Sequence, residues 1–136
     1  MQSGLYSPDI PLVSGELDIS STGDKHSFGI PFKCRVVRAG VTIVNDIGAT
    51  GVIKFDSRQG TTRADGDVAT INLATSHTEG ECVYDDAGAS LELEEGDQVI
   101  VEVTDAAAAS DEAIAFLVVR QVPETAANNS KMVETT

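Results

Sequence analysis

The chain has no tryptophan, and only 2 tyrosines and 4 phenylalanines among 136 residues. Sugar sites usually stack the sugar ring on an aromatic face. The scarcity therefore argues against a carbohydrate site, and it leaves valine, isoleucine and threonine to carry any sheet. Cysteine is equally sparse, with 2 in the chain, Cys34 and Cys82. They lack C-x-x-C spacing, and the histidines, His26 and His77, stand alone. A zinc site needs several convergent nitrogen or sulfur ligands, which this pattern does not offer. Both cysteines lie in strand-like segments and read as buried free thiols rather than a disulfide.

No apolar run approaches the roughly 20 residues that cross a bilayer as a helix. The opening Met-Gln-Ser-Gly-Leu-Tyr-Ser-Pro lacks the basic and apolar regions of a secretory signal. The expectation is that the protein stays in the compartment where it is made. Positive charge is also short: 9 basic residues against 22 acidic give a formal net charge of −13. Such a chain is repelled by phosphate backbones and by anionic lipid, so neither nucleic acid nor membrane is an expected partner. A partner with a basic surface suits it better.

What the sequence does have is alternation. Leu91 and Leu93 alternate with Glu92 and Glu94, and Val99, Val101 and Val103 alternate with Ile100, Glu102 and Thr104. Period two is the mark of strands with one buried face. Between these runs, Gly96 can take a positive φ and the Asp97 carboxylate can accept a nearby backbone N–H, which predicts a tight turn. Ile114 to Val119 is apolar on both faces and reads as a strand inside a sheet.

Taken in order, residues 1–15 carry Pro8, Pro11 and Gly15 and read as an N-terminal arm, apolar enough to pack on its own domain or on a neighbour. Residues 16–122 read as the folded domain. Glu16 to Ser20 is a first short strand. Phe32 to Asn45 is one long strand, and Ala39-Gly40 marks a bulge in it rather than a hairpin turn. Val52 to Asp56 pairs back as a strand, with Ile53 and Phe55 on one face. Ser57 to Gly66 is a polar loop. Val68 to Leu73 is a strand with Ala69, Ile71 and Leu73 on one side, and Glu81 to Asp85 is a short edge strand. Asp105 to Glu112 is a loop between two antiparallel strands. Residues 123–136 read as a C-terminal arm. About eight short strands with Gly- and Asp-rich turns predict an all-β antiparallel sandwich, a jelly roll first and an immunoglobulin-like sandwich second.

Candidate chemistry is thin. Asp65-Gly66-Asp67, Asp85-Asp86 and Asp111-Glu112 lack the spacing of a calcium loop and read as turn formers and solubilising charge. No G-x-S-x-G elbow accompanies the histidines, and a cupin-like metal site would need clustered histidines. Asn128-Asn129-Ser130 matches a glycosylation acceptor, which without a secretory signal reads as chance. No catalytic residue, cofactor or metal is expected. Lys33, Arg35, Arg38 and Lys54 gather scarce positive charge, either as a face balanced by acidic neighbours or as a docking stripe.

Four stretches carry a resemblance to a known family: Ile30-Pro31-Phe32-Lys33-Cys34-Arg35-Val36-Val37; Gly66-Asp67-Val68; Leu93-Glu94-Glu95-Gly96-Asp97-Gln98-Val99-Ile100-Val101-Glu102-Val103; and Phe116-Leu117-Val118-Val119-Arg120, followed by Pro123-Glu124 and Ala127-Asn128-Asn129. Over roughly residues 28–132 the organisation resembles the small head-decoration, or cement, proteins of tailed bacteriophages. The resemblance implies a non-catalytic jelly roll on the outer surface of an icosahedral head, assembled in the host cytoplasm. It implies the major capsid protein as partner, dimers or trimers as the oligomer, and terminal arms reaching across subunits. The residues expected to make those contacts are Leu5, Tyr6, Ile10 and Leu12 at one end, Met132 and Val133 at the other, with Lys33, Arg35 and Arg38. The rival expectation is a carbohydrate-binding or adhesin sandwich of a phage fibre.

Overall fold

The computed structural model describes residues 8–59, 62–86, 91–107 and 112–122, with backbone alone at Gln59 and at residues 62–67. Among these the chain is all β. Its strands are β1 (Asp9–Asp18), β2 (Lys25–Gly29), β3 (Cys34–Ile43), β4 (Gly51–Gln59), β5 (Thr62–Leu73), β6 (Cys82–Asp85), β7 (Glu92–Leu93), β8 (Gln98–Asp105) and β9 (Glu112–Gln121).

Two antiparallel sheets pack face to face. One runs β1-β9-β3-β6, with β7 also on β3; the other runs β2-β8-β4-β5. The pairs β1:β9, β2:β8, β3:β6 and β4:β5 are those of one long antiparallel ribbon rolled up from its β4–β5 tip. That is the jelly-roll arrangement, and it settles the choice between the two sandwich types.

Alternation explains the packing. Val99, Val101 and Val103 of β8 point inward, as do Ile53 and Phe55 of β4 and Ala69, Ile71 and Leu73 of β5. From the facing sheet come Cys34, Val36, Ala39, Val41 and Ile43 of β3 and Ala113, Ala115, Leu117 and Val119 of β9. These form a single buried cluster. Phe28 and Phe55 stack nearly parallel within it, with ring centroids 6.4 Å apart.

The predicted turn at Gly96 is present. Gly96 has φ 91°, and the buried Asp97 carboxylate accepts the Glu94 N–H at 2.8 Å. The turn does not make a hairpin: β7 belongs to one sheet and β8 to the other. It carries the chain across the sandwich. Gly96 N–H donates to Ile30 O, and Ile30 N–H donates to Asp97 O, both at 2.9 Å, so the crossing is pinned to the chain just after β2.

Several expectations are corrected. The first strand begins at Asp9, not Glu16, so the latter part of the expected arm is an edge strand paired with β9. Pro11 is tolerated because one side of an edge strand has no ladder partner. β3 is one strand, as expected, but its irregularity lies between Val36 and Arg38, not at Ala39-Gly40. β4 pairs with β5 and β8 rather than with β3. The β4–β5 pairing runs on to Gln59 opposite Thr62, through residues expected to form a loop. β8 and β9 lie in different sheets. β9 is an interior strand between β1 and β3, as its double apolar pattern predicts. The C-terminal segment 123–136 lies outside the described residues.

A candidate docking face

The two outer faces differ in chemistry. On the β2-β8-β4-β5 sheet, cross-strand rows put Lys25 beside Glu102 and Lys54, and Ser27 beside Ile100 and Asp56. This is a polar, water-facing surface. Lys54 therefore lies on the opposite side of the sandwich from Arg35 and Arg38 and joins no stripe with them.

The outer face of the β1-β9-β3-β6 sheet is apolar at its centre. Directly opposed residues in an antiparallel sheet share a face. One row is Val13, Phe116, Gly40 and Tyr84; the rows beside it hold Pro11, Val118 and Arg38, and Glu16, Ile114, Thr42 and Cys82. Val13 is 62% exposed and Tyr84 51%, while Ile114, Phe116 and Val118 are half-buried. Gly40 is buried: a Cβ there would lie 2.8 Å from Phe116 Cζ and 2.5 Å from Val83 O. The glycine lets the Phe116 ring and the β6 backbone approach β3 closely.

Charge lines both ends of this face. At one end stand Asp9, Arg120, Arg35 and Glu92 in a single row. Arg120 pairs with Asp9 at 2.8 Å and Arg35 with Glu92 at 3.2 Å. Arg38 lies 3.8 Å over the Tyr84 ring and forks onto Asp86 at 2.9 and 3.3 Å. At the other end are Glu16, Asp18 and Glu112, with Asp18 directly opposite Glu112. Among the described residues none of these three has an ion pair with a lysine or arginine. The Glu112 carboxyl titrates above its usual range, chiefly through a hydrogen bond and repulsion from Glu16, then desolvation and Asp18.

The expected contact residues are dispersed. Leu5, Tyr6, Met132 and Val133 lie outside the described residues. Ile10 and Leu12 are not on a free arm: they face inward from β1 opposite Val119 and Leu117 and pack against the core. Arg35 and Arg38 do lie on the apolar face, each paired within the chain. Exposed Lys33 lines a shallow hollow of about 530 Å³ with Phe32, Glu94, Glu95, Gln121 and Val122.

The remaining candidates have structural partners. His26 Nε2 is 3.3 Å from Glu16 O. His77 Nδ1 accepts the Ala74 N–H at 2.9 Å. Asp85 accepts the Thr70 N–H at 3.1 Å, tying β6 to β5 across the sandwich edge. Among the described residues, no three His, Cys, Asp or Glu side chains are placed to hold a metal ion. Cys34 is buried, but Cys82 is exposed, contrary to the expectation of two buried thiols. They stand opposite or at β3 positions eight residues apart, about 27 Å at the strand rise, which no disulfide spans. No family model and no curated protein matches the chain.

Proposed function

We propose that the protein is a non-enzymatic decoration, or cement, protein that binds the outer surface of a tailed-phage head and stabilises contacts between major capsid subunits. The observation that carries this reading is the contrast between the two outer faces. An apolar outer sheet face with charged margins suits coverage by another broad protein surface rather than enclosure of a small molecule. The jelly-roll arrangement also agrees with what the sequence resemblance implies. Many copies on a symmetric shell bind together, so each contact can be modest. In this reading residues 1–7 and 123–136 reach neighbouring subunits, with Leu5, Tyr6, Met132 and Val133 as anchors, and they provide the contacts of a dimer or trimer.

The test is co-sedimentation of the purified chain with heads that lack it, followed by heating of decorated and bare heads. Saturable binding and a higher temperature of DNA release are expected. A chain lacking residues 123–136 is expected to keep its fold and lose occupancy. Failure to bind heads, with specific binding on a glycan array, would overturn the reading in favour of a fibre adhesin.

A further inference from the structure

The outer face of the β1-β9-β3-β6 sheet presents an apolar centre, three arginines paired with carboxylates of the chain, and one acidic corner that no lysine or arginine among the described residues pairs. We propose that this face seats a shell-protein surface of matching chemistry: an apolar patch bordered by a lysine or arginine that meets Glu16, Asp18 and Glu112. The inference rests on the decoration reading and names the docking face and the partner's chemistry.

Charge and size select the occupant. The five cross-strand rows from Asp9 to Asp18 span roughly 27 Å, and the four strands roughly 14 Å, from ordinary sheet spacings. That is about 400 Å² in projection, against about 800 Å² per partner in a standard stable interface. A second copy would have to pair on this limited area while each chain carries a net charge of −13. Repulsion between copies opposes that pairing. A shell surface escapes both objections, because its repeated sites add modest contacts and its cations can be complementary. The arginines do not supply the missing complement: Arg120, Arg35 and Arg38 already hold Asp9, Glu92 and Asp86. The charge left without a cation among the described residues is the Glu16–Asp18–Glu112 corner: Asp18 accepts hydrogen bonds from the Ser20 N–H and hydroxyl, Glu16 and Asp18 both repel Glu112, and a partner cation would relieve that repulsion.

The face carries its own reporter. Cys82 is exposed in the row with Ile114 and Thr42, whereas Cys34 is buried. A maleimide therefore reads coverage of this face selectively. The experiment compares labelling of Cys82 in the free chain and on purified heads, and measures head binding by Val13→Asp and Glu112→Lys variants whose folding is checked by thermal melting. Prior attachment of a polyethylene-glycol maleimide at Cys82 gives a second block that needs no substitution.

Expected are protection of Cys82 on heads, at least about tenfold weaker binding by each variant, and loss of binding by the modified chain. Binding to heads with Cys82 still reactive and both variants unimpaired would overturn the docking face and leave the decoration reading standing. No binding of the unmodified chain to heads would overturn both. Protection of Cys82 in the chain alone, with a dimer in sedimentation, would overturn the proposal in favour of a second copy.

Discussion

Gly40 on β3 lies directly opposite Phe116 on β9, and the Phe116 ring occupies the space beside the hydrogen that a side chain would replace. A methyl at Gly40 also meets backbone atoms of β6, at Val83 O and Tyr84 Cα. Backbone cannot rotate away as a side chain can. Gly40→Ala is therefore expected to destabilise the fold by about 1–3 kcal/mol, the usual cost of overpacking, as a lower urea midpoint with little change in slope. An unchanged midpoint would mean that β6 can move off β3 without cost.

The sheet-crossing turn separates two contributions. Nothing lies within 4 Å of a Cβ built on Gly96, yet its φ is +91°. Gly96→Ala should therefore cost roughly 1–2 kcal/mol through backbone strain alone. Asp97→Ala should cost about 1–3 kcal/mol, because the Glu94 N–H loses its acceptor. Faster hydrogen exchange at Glu94 in the second variant, and not in the first, would check the assignment.

The two thiols should behave as different chemical species. Burial, with a smaller contribution from Asp97, pushes the Cys34 thiol up to about 11 from an ordinary 9.0. A thiol-reactive dye at pH 8 should titrate one cysteine in the native protein and both in denaturant. The unfolded chain loses the Cys34 proton near pH 9, while the native chain keeps it to about 11. The stabilisation present below pH 9 is therefore expected to decline across that interval as pH rises. Cys34→Ser should not share this thiol-linked decline.

Glu112 works in the same direction at lower pH. Its raised pKa means that the native fold favours the protonated acid. The stabilisation it contributes is present below the unfolded carboxylate pKa and is lost as pH rises through the folded value. At neutral pH the ionised group is a liability, so Glu112→Gln should melt at a higher temperature than the parent. That advantage should shrink on acidification. Equal melting temperatures at pH 7 would count against repulsion among Glu16, Asp18 and Glu112.

Much of the fold was legible because period two reports which side chains turn inward. The inward sets of β4, β5 and β8 follow from it. Alternation does not report which strand sits alongside, and β4 illustrates the gap: its inward Ile53 and Phe55 suit either sheet. β1 was obscured by Pro11 and Gly15, although Ile10 and Leu12 keep the inward period up to the register shift after Val13. Gly40 signalled a break in regularity, but its cause is the close approach of Phe116 and β6. The apolar outer face had one clear sequence signal, the second apolar set Ile114, Phe116 and Val118 on β9. That set marks an interior strand and, equally, an apolar outward face on its sheet. Val13 and Tyr84 join it only through register, which no local pattern encodes.

The pairing of Asp9 with Arg120 has an engineering consequence. It brings the entry to β1 and the exit from β9 to one corner of the sandwich, so a short linker from Val122 back to Pro8 would close the backbone with little reorganisation. New ends could then be opened at the exposed Gly80 turn. Such a circular permutant would move any fused cargo to a different corner of the same rolled ribbon.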